Sequence, residues 1–104
     1  MVCPKITICS KVVNSFILCS RYSAIKDTED TVLISGHYDS RGSFGNTRAP
    51  GGNDDGSGTV GVLSIARTIA RKKVLFHSNV ELALFAGEEQ GLFGSKAYAR
   101  SYAL

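Results

Sequence analysis

The sequence predicts an α/β fold built on a parallel pair of strands, and three features carry that expectation. Residues 31–35 (T-V-L-I-S) and 79–86 (N-V-E-L-A-L-F-A) are near-continuous apolar runs stopped by Gly36 and Gly87, the pattern of strands buried on both faces. Between them, residues 57–72 place Val62, Ile65, Ala66 and Ile69 at i, i+3, i+4 and i+7, which is one apolar stripe along a helix. Strand, helix and strand in that order make a β-α-β unit with parallel strands and a right-handed crossover.

The remaining elements are weaker. Residues 16–22 are rich in apolar and small side chains and read as a further strand, paired in a hairpin with 31–35 through a charged turn at 27–30. Residues 41–56 form a long loop of Gly, Asn and Asp around Pro50. A loop of that length in a small domain is usually functional or disordered. Residues 91–102 are a less regular helix. None of the 11 glycines precedes Gly36, and eight fall between Gly36 and Gly61. The composition thus changes at Gly36, and residues 1–15 are read as a peripheral segment beside the folded unit at 16–104.

Composition narrows the function classes. A chain of 104 residues with 43% apolar side chains is one small domain with a core. No stretch reaches the roughly 18 uninterrupted apolar residues of a membrane-spanning helix. The net charge of +3 is mild, and its one basic run, Arg71-Lys72-Lys73, suits the last turn of a helix, where cations face the negative dipole end. No aromatic residues interleave with that run, so it does not resemble a nucleic-acid surface. Cys3, Cys9 and Cys19 are odd in number and match no zinc-ribbon or redox spacing, so free thiols in a peripheral segment are expected. Lys5, Lys11 and the short apolar stretch from Val12 to Cys19 make at best a poor signal-like segment, because Asn14 and Ser15 interrupt it and no small-residue cleavage site follows.

The acidic residues are more informative. Asp39, Asp54, Asp55, Glu88 and Glu89 are five of the nine acids, and all lie in turn-like or Gly-rich contexts. In a parallel sheet, ligands bind beyond the carboxyl ends of the strands. One strand ends in His37-Tyr38-Asp39, the other in Glu88-Glu89, and the loop carrying Asp54-Asp55 feeds the start of the helix. All three clusters therefore converge on one rim of the sheet. Adjacent carboxylates repel unless a cation is present. One imidazole with several carboxylates is a nitrogen and oxygen set that suits zinc, cobalt or manganese. His37 and Asp39, two apart past a strand end, have the spacing of a ligand and the carboxylate that orients its ring. Alone, each piece has a common structural explanation: a surface histidine, an Asp-Asp-Gly turn, a solvated helix start. The D-x-D-x-D-G spacing of a calcium loop is absent. Gly56-Ser57-Gly58-Thr59-Val60-Gly61 matches G-x-G-x-x-G, but a long loop separates it from the preceding strand, and Asp54 and Asp55 would repel a pyrophosphate. Glu81, at the distance of a ribose-binding acid, sits near the wrong end of its strand. The glycines are better explained by a tight turn packed close to the sheet.

Three motifs, taken in order, carry a family resemblance. They are Gly36-His37-Tyr38-Asp39-Ser40, Ala49-Pro50-Gly51-Gly52-Asn53-Asp54-Asp55-Gly56-Ser57-Gly58 and Phe85-Ala86-Gly87-Glu88-Glu89-Gln90-Gly91-Leu92-Phe93-Gly94-Ser95. Together they resemble the di-zinc aminopeptidases of the bacterial and fungal leucine-aminopeptidase type, metallopeptidase family 28, and among these the fungal peptide hydrolases. The resemblance implies a fragment of a three-layer α/β/α zinc-exopeptidase fold with a mostly parallel central sheet. It implies His37 on one zinc, Asp54 bridging two, Glu89 on the other, and Glu88 as the general base. Asp39 would orient His37, and Asp55 would support the loop. The implied reaction is hydrolysis of N-terminal residues from a peptide substrate through a metal-activated water, in a secreted or vacuolar setting. The family also holds glutamate carboxypeptidase-like members, so the choice of peptide end stays open here. The family's domain is considerably longer and supplies a further Asp and His after the Glu-Glu strand. The expectation is therefore a partial catalytic domain, offering two ligands to each zinc, with His77 on the surface and not a ligand. The alternative is a non-catalytic truncated remnant or interaction module with weak or no metal binding.

Overall fold

The computed structural model describes Ile6–Ile8 and residues 17–103. The elements are β1 (Ile6–Ile8), β2 (Ile17–Tyr22), β3 (Thr31–His37), α1 (Ser57–Lys72), β4 (Asn79–Phe85) and α2 (Phe93–Tyr102). The strands form one mixed sheet in the order β1-β2-β4-β3. Apart from Ile6–Ile8, the expectation of a peripheral segment over residues 1–15 lies outside the described residues.

The β-α-β unit is present as expected. β3 and β4 are parallel, with Thr31 opposite Asn79 and His37 opposite Phe85. The expected mostly parallel sheet holds for that pair alone, because β2 runs antiparallel to both β4 and β1. The hairpin expected between β2 and β3 does not form. β4 lies between them, and every one of its seven residues is buried. As the most apolar strand it gains most from a neighbour on each edge. The connection from β2 to β3 passes over the start of β4 and is stapled by the buried Asn79. Its Oδ1 accepts the Ala24 N–H at 3.1 Å, and its Nδ2 donates to the Thr28 carbonyl at 2.9 Å. β3 was expected to be buried on both faces, yet Val32 and Leu33 are half-exposed. The strand stands at the edge of the described sheet, and only Ile34 packs firmly into the core.

The alternation of β4 divides the packing in two. Val80, Leu82 and Leu84 meet Val62 and Ile69 of α1, together with Tyr22. α1 has the predicted bounds, and its stripe is buried at Val62 and Ile69, partly at Ala66, and leans to the rim at Ile65. Arg71 and Lys72 occupy its last turn, and Lys73 closes it in the left-handed region, its N–H donating to the Ile69 carbonyl. Ala83 and Phe85 instead meet Tyr98 of α2 and Cys19 of β2. Cys19 is disulfide-bonded, which corrects the expectation of a free thiol at that position. α2 begins two residues later than expected, because Gly91 and Leu92 have φ of +132° and +61°, which no right-handed helix accommodates.

On the α2 side, β4 also carries Glu81, fully buried in the middle of an apolar strand. A lone buried carboxylate is costly unless it is paired and hydrogen-bonded. Arg21, opposite it on β2, places Nη1 3.2 Å from Oε1. Tyr98 and Tyr102, one helical turn apart, both donate their hydroxyls to it, Tyr102 at 2.5 and 2.6 Å. Burial, and then the Glu81 carboxylate, hold both phenols above their ordinary range, so both remain donors. Removing the acid strands one guanidinium and two hydroxyls. Glu81→Ala should therefore destabilise the chain by about 3 kcal/mol, seen by circular dichroism as a melting midpoint lowered by about 10 °C or more. The exposed Glu29→Ala should shift stability by no more than about 0.5 kcal/mol.

Candidate metal centre

The parallel register brings the two strand ends level, and one more backbone bond extends it. The Tyr38 N–H donates to the Phe85 carbonyl at 2.9 Å, carrying residues 38 and 39 alongside the turn that follows β4. Gly87, at φ +70°, turns the chain there. The backbone N–H groups of Glu88 and Glu89 then donate to Oδ1 and Oδ2 of Asp39, each at 3.2 Å. Asp39 is thus a clamp between the two strand ends. Burial alone would raise its pKa, but these two N–H groups, its own N–H and His37 outweigh that and hold it below the usual carboxylate value.

The same carboxylate and its backbone hold His37. Nδ1 lies 3.1 Å from the Asp39 carbonyl oxygen and 3.4 Å from Oδ1. An Nδ1–H donated there leaves Nε2 with its lone pair facing outward. Nε2 lies 3.1 Å from Asp54 Oδ1, 3.7 Å from Glu88 Oε2 and 4.0 Å from Asp55 Oδ2. Burial works to lower the imidazole pKa, but the Asp39 carbonyl and the carboxylates of Glu88, Asp55 and Asp39 together raise it. The surroundings therefore favour a positive charge at this point.

Asp54 and Asp55 lie in the turn at Gly52–Gly56, which runs straight into α1; their φ/ψ values depart from helix, and the peptide bond between them is cis. The two carboxylates serve different ends. Asp54 is largely exposed and faces His37. Asp55 turns inward: Oδ2 accepts the His37 N–H and Oδ1 the Gly58 N–H, both at 3.0 Å. Thr59 adds a bond from its hydroxyl to the His37 carbonyl at 2.8 Å. A Cβ on Gly58 would overlap the Asp55 carboxylate, and one on Gly36 would press on it at 3.0 Å. Two glycines of the G-x-G-x-x-G stretch and its strand thus make room for a carboxylate, not a phosphate.

Glu89 sits farther along the rim. Its Oε1 accepts the Arg41 backbone N–H at 3.1 Å, and Oε2 is 3.9 Å from Arg41 Nε. With Asp54 it lines a cavity of about 260 Å³. The predicted residues His37, Asp39, Asp54, Asp55 and Glu88 are therefore drawn around one imidazole, and Glu89 around an adjoining space. Sequence reasoning missed Arg41 and Thr59. Arg41 continues the alternation of His37 and Asp39 by two residues, which is the signal that could have found it. His77 is exposed and away from the rim, as expected.

Among the described residues, no group of three or more His, Cys, Asp or Glu is already arranged around a common ion position. The donor set nevertheless suits zinc. Two ligands at 2.0–2.2 Å from a tetrahedral zinc lie about 3.3–3.6 Å apart, and His37 Nε2 and Asp54 Oδ1 are 3.1 Å apart.

The profile of peptidase family M28 matches residues 21–104. The chain is 39% identical over 98 residues to a probable leucine aminopeptidase of Arthroderma otae, covering 88% of this chain and 26% of that protein. It is 37% identical over 81 residues to leucine aminopeptidase 1 of Penicillium rubens, covering 72% and 21%. It is 41% identical over 73 residues to a probable zinc metalloprotease of Leptosphaeria maculans, covering 67% and 16%. The chain thus spans about a quarter or less of the length of these relatives. No solved structure matches it.

The Asp55 seat can be tested separately from metal binding. Gly58→Ala should expel the carboxylate, costing about 1–3 kcal/mol for the buried N–H groups left behind. In nuclear magnetic resonance spectra the His37 amide proton should move upfield as its charge-assisted bond is lost. Asp55→Ala should reproduce that shift without steric conflict.

Proposed function

Because the chain belongs to peptidase family M28, we propose that it is part of a zinc-dependent aminopeptidase that removes N-terminal residues from peptides. The observation that carries this reading is the meeting of His37, Asp54 and Glu88 at the ends of a parallel strand pair, with His37 Nε2 3.1 Å from Asp54 and 3.7 Å from Glu88. The names of the relatives, leucine aminopeptidase and zinc metalloprotease, support the metal and the peptide end.

In this reading His37 would hold one zinc, Glu89 a second, and Asp54 would serve both. When bound, the ions would polarise a peptide carbonyl and lower the pKa of a water. Asp39 keeps the His37 lone pair aimed outward and fixes Glu88 and Glu89 through their N–H groups. Glu88, whose partly exposed carboxylate stands 3.7 Å from His37 Nε2, takes a proton at Oε and returns it to the departing amine. Asp55 holds the turn that presents Asp54. Residues 16–104 form the partial catalytic domain. With α1 packed on one set of β4 side chains and α2 on the other, they are the start of a three-layer α/β/α architecture. The proposal extends to a secreted or vacuolar setting.

The test is hydrolysis of an aminoacyl chromophore by the zinc-loaded chain, abolished by a chelator. Glu88→Gln should lower turnover by about 10²–10⁴-fold with zinc stoichiometry unchanged. Asp54→Ala should lose zinc itself, measured by calorimetry. Weak zinc uptake without turnover would instead make the chain a non-catalytic remnant or interaction module.

A further inference from the structure

Beside the imidazole cluster, the cavity of about 260 Å³ is lined by basic as well as acidic residues. Arg41, Ser43, Asn46 and Arg48 line it together with Asp54 and Glu89. Its volume is close to the roughly 300 Å³ at which small-molecule sites usually begin. Both guanidinium groups are available. Arg41 reaches Glu89 only at 3.9 Å with its side chain 70% exposed, and Arg48 makes no ion pair among the described residues. The Arg48 backbone is fixed by its N–H bond to Asn46 Oδ1 at 2.9 Å. Ser40, whose hydroxyl donates to the Ala49 carbonyl at 2.8 Å, ties the two limbs of the loop together. The pocket is thus lined by a braced loop carrying two forks.

We propose that this pocket binds a carboxylate of the peptide, gripped by Arg41 and Arg48. The proposal rests on the peptidase reading for its orientation: once Asp54 and Glu89 are committed to cations, the two guanidinium groups leave the pocket net positive, and a planar anion is its complement. Guanidinium and carboxylate pair through two parallel N–H···O bonds, which an amide of the same shape does not match. The carboxylate has two sources, an acidic side chain or the α-carboxylate of a short peptide, and either presents the same group to the pocket.

The experiment titrates the zinc-loaded chain with four acetylated probes that cannot be cleaved as aminopeptidase substrates. Acetyl-glutamate amide is compared with acetyl-glutamine amide, and acetyl-alanine with acetyl-alaninamide, following arginine Nε–H resonances and calorimetric affinity. At least one carboxylate should shift both arginine signals and bind about tenfold or more tightly than its neutral isostere, a difference that one well-placed charged pair supplies. The first pair winning assigns the acidic side chain, the second the α-carboxylate. Arg48→Gln should erase the preference, and Arg41→Gln should do so with an added change at Glu89. Equal binding of carboxylates and amides, or a preference that survives both substitutions, overturns the pocket. Turnover of the chromophore with no preference fails the pocket alone. A preference by the zinc-loaded chain that shows no turnover fails the peptidase reading alone.

Discussion

Everything at the rim depends on the parallel register of β3 against β4. With His37 level with Phe85, the chain beyond β3 needs only two more residues to bring a carboxylate under the turn beyond β4. Asp39 then accepts both N–H groups of the Glu88-Glu89 pair. A slip of one residue would turn His37 to the opposite face of the sheet and leave those N–H groups without their acceptor. Burial of all of β4 fixes that register from below, because its alternate side chains are committed to different helices. A hydrophobic constraint within the sheet thus sets a polar geometry at its edge.

Much of this was legible in the sequence. The 3.6-residue stripe gave α1 its bounds, and the glycine-stopped apolar runs located β3 and β4. The ends of those runs named His37, Asp39 and the Glu pair before any contact was known. What was not legible was pairing. Residues 17–22 read as a strand, but no local signal says that β2 prefers β4 to β3; that choice depends on Arg21 meeting Glu81 and on Asn79 holding the crossover, contacts between residues some 55–60 positions apart. The exposure of β3 was missed for a related reason. An apolar run reports the tendency to be buried, not whether the described sheet supplies a neighbour.

The acids show the same division between composition and placement. Asp54 and Asp55 are adjacent and chemically identical, yet one faces the imidazole and the other is tied to the backbone beneath it. Only the space left by Gly36 and Gly58 separates their roles. Glu81 carried a still quieter signal: a lone acid in an apolar strand, answered by tyrosines four residues apart on a helix. A spacing of four puts those tyrosines on one helix face, but their shared acceptor emerges only from tertiary packing.

The edge of β3 that no other described strand covers has a practical outcome. Thr31–His37 contains no lysine and no proline, the residues by which natural sheets discourage strangers from zipping onto an open margin. Val32 and Leu33 stand half in water beside that margin. Concentrating the purified polypeptide should therefore favour stacking into cross-strand ribbons, and a single charge introduced at Val32 would be the simplest means of keeping it in solution.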